Sequence, residues 1–222
     1  MTKLNNLLTN KKIKSFFIIF LLFFIYTFIC AFSYVNAVSN NISKNVLRLH
    51  VIANSDTEAD QNLKYKVRDE ILKYMNSICV NCKTKDEAIQ ILNDNKEKFE
   101  EIALNTIIKE GYNYDVTQKI GNFYFPTKTY GDIIFPSGNY DALRIEIGEA
   151  KGKNWWCVMF PSLCFVDISN GIVPDNSKEE LKNTLTEEEY SIISSNKNID
   201  IKIKFKLLEL LSSKNLFTAK NK

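Results

Sequence analysis

The sequence predicts an α+β domain behind an N-terminal apolar segment: one strand and two helices, then a mainly antiparallel sheet and a short C-terminal helix. Three observations carry this. A short alternating run at 46–53 leads straight into helix-start residues at 55–58, and apolar stripes at helical spacing fill 58–109. Beyond Gly111 the period falls to two, and turn residues recur at Gly121, Pro126, Gly131, Pro136, Gly138 and Gly152. A parallel α/β layout would need helices between the later strands, and 112–160 has no room for them.

Residues 1–14 carry Lys3, Lys11, Lys12 and Lys14 with no acid, and 16–32 (FFIIFLLFFIYTFICAF) is an almost unbroken apolar run ending near Val35-Asn36-Ala37. This is the layout of a secretory signal peptide, with cleavage expected after Ala37; the run also reaches the short end of a membrane span, so an uncleaved anchor is the alternative. Either way the positive end stays inside and the chain from about residue 38 is exported. The whole chain of 222 residues has a formal charge of +3, but removing the four leader lysines leaves 25 basic against 26 acidic residues. The basic remainder is concentrated at 202–222, with six Lys and one Glu. Charge therefore gives no support for a nucleic-acid partner.

Leu47, Leu49 and Val51 fall on one face of the first strand, and Arg48, His50 and Ile52 on the other. Ser55-Asp56-Thr57-Glu58 matches a capping box and opens a helix to about Ile78, striped by Leu63, Val67, Ile71, Met75 and Ile78. Thr84 with Glu87 opens a second helix through Lys109, and Gly111 suits its C′ position. Strands are expected at 112–120, 122–125, 141–148 and 154–160, with 148–153 (GEAKGK) as a hairpin loop. In Leu143-Arg144-Ile145-Glu146-Ile147 the alternation describes a sheet with one wet face. The core domain is thus 38–171; 172–198 reads as a polar linker or helical excursion with capping boxes at Ser177 and Thr186. A last strand (199–205) and a basic, leucine-rich helix close the chain, either docked on the core or touching an anionic membrane.

Cys79, Cys82, Cys157 and Cys164 lie outside the apolar segment, an even count that in an exported chain reads first as disulfides, with three connectivities. A local Cys157–Cys164 bridge is favoured. A four-cysteine zinc site is disfavoured by the six residues between Cys157 and Cys164, and a redox CxxC by the position of Cys79 at a helix end. Phosphate-binding loops, GxSxG and metal-spaced carboxylates are missing from the sequence. His50 with Cys157 is a conceivable nucleophile and base, as in an exported cell-wall hydrolase, but a structural His50 is the stronger reading; a wall-binding protein is the non-catalytic form of that alternative. No cofactor is implied.

Arg48, Asp56, Asp60, Lys64, Arg68 and Asp69 crowd the strand-to-helix turn, as a solvated ion-paired face or as a recognition surface. Trp155 and Trp156 are adjacent in a strand and must leave on opposite faces, one into the core and the other under a loop, a partner or a membrane interface.

Several blocks carry a resemblance. They are 47–56 (LRLHVIANSD) with 60–64 (DQNLK) and 67–69 (VRD), then 126–131 (PTKTYG), 136–140 (PSGNY) and 154–165 (NWWCVMFPSLCF). In this order they resemble the stage II sporulation protein R family over about residues 46–171. Cys157 and Cys164 lie inside the pattern; Cys79 and Cys82 match nothing in it, and neither does 172–198. The resemblance implies a non-enzymatic signalling protein, made in the forespore and secreted into the space between the two sporulation membranes. There it would activate a membrane-embedded aspartic protease that processes the precursor of sigma factor E. On this reading the partner-binding residues are Arg48, His50, Asn54, Ser55, Asp56 and Arg68, with the exposed member of the Trp155 and Trp156 pair.

Overall fold

The computed structural model describes residues 11–163 and 173–194. The chain divides into two units, residues 1–38 and 39–222. The apolar run of the first lies in helix α1 (Lys11–Asn45). Side chains from Phe16 to Phe24 are all exposed, and among the described residues α1 is the one helix long and apolar enough to cross a membrane. At 1.5 Å per residue, about 20 residues suffice for that.

In the second unit the last residues of α1 bury Ile42, and Ser39 Oγ donates to the Ser137 carbonyl. Strand β1 (Leu47–Ile52) follows, then α2 (Glu58–Ile78), α3 (Lys85–Asp94) and α4 (Lys96–Lys109). Capping sets these boundaries. Thr57 Oγ1 accepts the Asp60 N–H to start α2, and Thr84 Oγ1 accepts the Glu87 N–H while the Glu87 carboxylate accepts the Lys83 N–H. The helix expected over 84–109 is interrupted at Asn95, whose side-chain amide donates to the Ile91 carbonyl, the local bonding that makes Asn a poor interior residue. α4 ends as expected on Gly111, at φ +85°, with Gly111 N–H on Ile108 O and Tyr112 N–H on Ile107 O, a Schellman closure.

The later chain forms β2 (Val116–Phe125), β3 (Lys128–Tyr130), β4 (Ile133–Phe135), β5 (Gly138–Ile147) and β6 (Asn154–Phe160), then α5 (Asp175–Thr184) and α6 (Glu187–Ile193). The α+β class is as expected, and two of the three main pairings are antiparallel. The four-stranded sheet runs β2-β5-β1-β6, with β1 parallel to β5 and antiparallel to β6. β1 therefore occupies the centre. Its Leu47, Leu49 and Val51 join Leu63, Val67, Ile71 and Met75 of α2, Phe99, Ala103 and Ile107 of α4, and Leu143, Ile145 and Ile147 of β5 in one core. About 25 cal/mol per Å2 of apolar burial makes this the main stabilising face.

Three sequence expectations change. First, 148–153 is not a hairpin loop, because β5 and β6 flank β1 on opposite sides; the segment crosses over the end of β1. Turn residues serve both geometries, so their presence did not distinguish them. Second, the face opposite the helices is wet at β5, where Glu146 pairs with Lys119 and Arg144, but not at β1, all six residues of which are buried. The β3–β4 hairpin, too short to register as a period, contributes Tyr130 and Phe135 on that side, beside Arg48. Third, the 172–198 segment is helical over 175–184 and 187–193, within the linker or helical excursion expected, but the capping box expected at Ser177 is missing. Leu181 and Ile193 are buried, Lys178 pairs with Asp132 at 2.7 Å, and Thr186 forms a full capping box with Glu189. Ser177 lies inside α5, which begins at Asp175. The expected strand at 199–205 and the helix after it lie outside the described residues.

Candidate functional site

The turn after β1 is held by a buried carboxylate. Asp60 Oδ2 accepts from Ser55 Oγ at 2.5 Å and from Asn54 Nδ2 at 2.9 Å, and the Asp60 N–H bonds Thr57. Burial alone would raise the Asp60 pKa, but hydrogen bonds from Ser55, Asn54, Tyr114 and Thr57 outweigh it and hold the group below its ordinary value. Asp60, expected on a charged helix face, is thus the hub that orders Asn54 and Ser55.

Across this turn lies the 148–153 crossing. Lys151 N–H bonds Asn54 O (3.1 Å), Gly152 N–H bonds Ala53 O (2.9 Å), Glu149 N–H bonds Asn54 Oδ1 (2.9 Å) and Lys153 N–H bonds Asp56 Oδ1 (2.6 Å). The approach is too close for side chains. A Cβ on Gly152 would stand 2.2 Å from the Ser55 carbonyl oxygen, and one on Gly148, itself at φ +55°, 2.4 Å from Asn54 Oδ1. The turn and the crossing therefore form one rigid clasp over the end of β1.

From the clasp the chain enters β6, and the two tryptophans part as expected. Trp155 turns to α2, 5.3 Å from the Tyr65 ring and with the Arg68 guanidinium 4.4 Å from its centroid. Trp156 turns to the other face and stacks on His50. Both tryptophans are half-buried.

Arg48 and His50 were expected on a recognition surface. Both are internal, with exposures of 0% and 4%. Because β1 is central and its second face is covered, alternation along the strand points these polar side chains into packed protein rather than water. Arg48 Nε donates to Cys157 O (2.7 Å) and Nη2 to Tyr130 Oη (2.9 Å), while Phe125, Tyr140, Phe135 and Tyr130 present rings 4.5, 4.9, 5.3 and 5.8 Å from its guanidinium carbon. Aromatic faces stand in for a counter-ion. Tyr130 Oη in turn donates to Trp156 O. Burial pushes the Tyr130 and Tyr140 hydroxyls up, opposed by the Arg48 charge. His50 Nε2 sits 2.7 Å from Asn154 Oδ1. Burial lowers its pKa to about 4, against the hydrogen bond with Asn154, so the imidazole is neutral at physiological pH.

A groove of about 450 Å3 opens beside the clasp, lined by Gln61, Lys64 and Tyr65 of α2, by 128–131, by 153–157 and by Leu163. Of the expected residues it gathers Trp155 and Trp156; Arg68 stacks on Trp155 from the same helix. Asn54, Ser55 and the exposed Asp56 stand in the adjoining clasp, whereas Arg48 and His50 lie within the protein. Lys64, Tyr65, Tyr130 and Lys153 complete this region; of these only Lys64 was singled out from the sequence, as one of the charged set around the turn. Their signal was positional, since Lys64 and Tyr130 fall inside the recognisable blocks 60–64 and 126–131.

Cys79 and Cys82 are bridged, with Cα atoms 5.0 Å apart, at the end of α2. Cys157 is disulfide-bonded as well, and Cys164 lies outside the described residues. A bridged Cys157 is not a thiolate, so it cannot serve as the nucleophile of the hydrolase alternative. Among the described residues no three His, Cys, Asp or Glu side chains are grouped to hold a metal ion.

Comparison with known proteins finds that the family model for stage II sporulation protein R matches residues 43–170, more than half of the chain. The chain belongs to this family. The clasp, the groove and the Arg48 cage all fall within the matched segment. The chain is also 36% identical over 148 residues to stage II sporulation protein R of Bacillus subtilis (strain 168), an alignment that spans 66% of each chain. No solved structure matches the chain. Membership in the stage II sporulation protein R family gives the chain a role in sporulation.

Proposed function

We propose that the chain is a forespore-made signal, exported into the space between the sporulation membranes, where it activates a membrane-embedded aspartic protease that processes the precursor of sigma factor E. The observation that carries this is the family match over residues 43–170, which spans β1–β6 and α2–α4. The N-terminal helix supports the export step: its apolar span follows lysines without acids, the orientation that leaves the body outside. Disulfide-bonded cysteines fit an oxidising compartment, and a Cys157–Cys164 bridge and cleavage after Ala37 belong to the same reading.

The contact surface of this signal is the clasp and groove: Asn54, Ser55, Asp56, Arg68, Trp155 and Trp156. Arg48 and His50 act behind it by fixing β6. The chain works by presenting a surface rather than by catalysis. Deleting the encoding gene in the sporulating host tests the reading. The precursor should accumulate unprocessed after the septum forms and be restored by the full chain; normal processing in the deletion strain would refute it.

A further inference from the structure

The groove beside Trp155 is lined by cationic side chains. Lys64, Lys128 and Lys153 line it, and no carboxylate does among the described residues. Lys64 is the decisive member. It is 1% exposed, and its ammonium meets neutral acceptors, Gln61 Oε1 at 2.6 Å and the Lys153 carbonyl at 3.0 Å. Burial, reinforced by Arg68 and Lys153 and opposed by Asp56, lowers its pKa to about 8. Asp56 acts on Lys64 through space without pairing with it, its Oδ1 accepting the Lys153 N–H, and Asp69 pairs with Arg68 at 2.6 Å. The same wall holds a donor with no hydrogen-bond partner, since Trp155 Nε1 is buried without an acceptor. Buried ammonium and indole N–H groups normally find oxygen partners, and these lack an anionic one.

The shape narrows the class of anion. The groove is lined by the first half of α2, by β3 with Gly131 and by β6, which stands at an edge of the described sheet. Aromatic rings of Tyr65, Tyr130, Trp155 and Trp156 line it together with the cationic groups. A strand edge flanked by aromatic and basic side chains suits an extended segment that places acidic and apolar residues in turn.

We infer that this groove binds an extended, carboxylate-rich peptide segment of the partner protein, with Lys64 and Lys153 as the charge-reading residues and Trp155 as the apolar anchor. The inference rests on the reading of the chain as a signal that docks on a partner. Electrostatic recognition of this kind steers encounter and rejects neutral or basic sequences.

The test uses the full chain in detergent micelles and a displayed library of random peptides, so that it does not depend on the protease. Selected peptides should be enriched in Asp and Glu over the starting library. Their Asn and Gln analogues should bind about tenfold more weakly or worse, and affinity should fall as salt rises. The Lys128→Gln/Lys153→Gln variant, altered at a half-buried and an exposed position, should lose a similar factor while keeping its thermal midpoint. The inference is overturned if selected peptides show no excess of acids, if the double variant binds them as the parent does, or if cell-wall fragments occupy the groove in their place. Failure here leaves the activator reading intact, whereas normal precursor processing in the deletion strain removes that reading and leaves the groove's chemistry standing.

Discussion

The imidazole of His50 lies flat on the indole of Trp156, ring centroids 3.7 Å apart and planes 17° from parallel, and the two residues are direct cross-strand partners of β1 and β6. The pair joins the central strand to the strand that carries the candidate contact surface. Because Asn154 takes the other side of the imidazole, protonating His50 would place a charge in a buried aromatic stack.

Stability should accordingly depend on pH through His50. Its folded pKa, about 4, lies below the ordinary value of 6.5, so the unfolded chain binds the extra proton first. The stabilisation is complete above about pH 6.5 and is lost as pH falls toward 4, amounting to roughly 3 kcal/mol across the window. Denaturant titrations at pH 7.5, 6, 5 and 4 should show this slope in the parent, and His50→Phe, which keeps a ring on Trp156, should flatten it.

Arg48 ties β1, the β3–β4 hairpin and β6 together through its fork and four aromatic rings. Arg48→Ala should cost about 3 kcal/mol, combining a cavity with an unbonded Cys157 carbonyl. Arg48→Lys keeps the charge but loses the planar fork, and should cost about 2 kcal/mol. Shifts in the urea midpoint measure both; equal stability of parent and alanine variant would contradict the cage.

Gly152→Ala drives a Cβ into the Ser55 backbone and should open the clasp. The expected loss is about 2 to 4 kcal/mol, with faster exchange of the Lys151 and Lys153 amide protons. Gly121→Ala is the control. There a Cβ finds ordinary contact with Phe123 at 3.6 Å, and the clasp amides should be unaffected.

Lys64 makes the opposite prediction. A buried ammonium among neutral acceptors is retained against stability, so Lys64→Met should raise stability at pH 7 by about 1 kcal/mol, after allowance for solvent at the groove. The same variant should weaken precursor processing in cells. Gained stability with reduced signalling is the pattern of a functional residue, and unchanged signalling would remove Lys64 from the site.

The sequence made the helical stretches, the caps at Thr84 and Thr186 and the divergence of the two tryptophans legible, because periodicity and capping are local; the cap expected at Ser55 falls instead on Thr57, and Asn95 splits the second helix. It placed Arg48 and His50 correctly on one face of β1, but which side chains cover that face depends on strand order, which is not local. The same limit hid the crossing at 148–153, since a hairpin and a crossing demand the same turn residues. Asp60 looked like one of several charges on a helix, and only tertiary contact with Asn54 and Ser55 shows it to be a hub. The β3–β4 hairpin escaped because three-residue strands carry no measurable period.

The most direct test of the proposed role is reconstitution. The full chain, and a form lacking residues 1–37, are co-expressed in vegetative cells with the membrane-embedded aspartic protease and the sigma factor precursor, and cleavage is followed by immunoblot. The account predicts cleavage with the full, exported chain and none with the truncated form or without the chain. Equal cleavage with the cytoplasmic form, or cleavage that needs no chain at all, would contradict it.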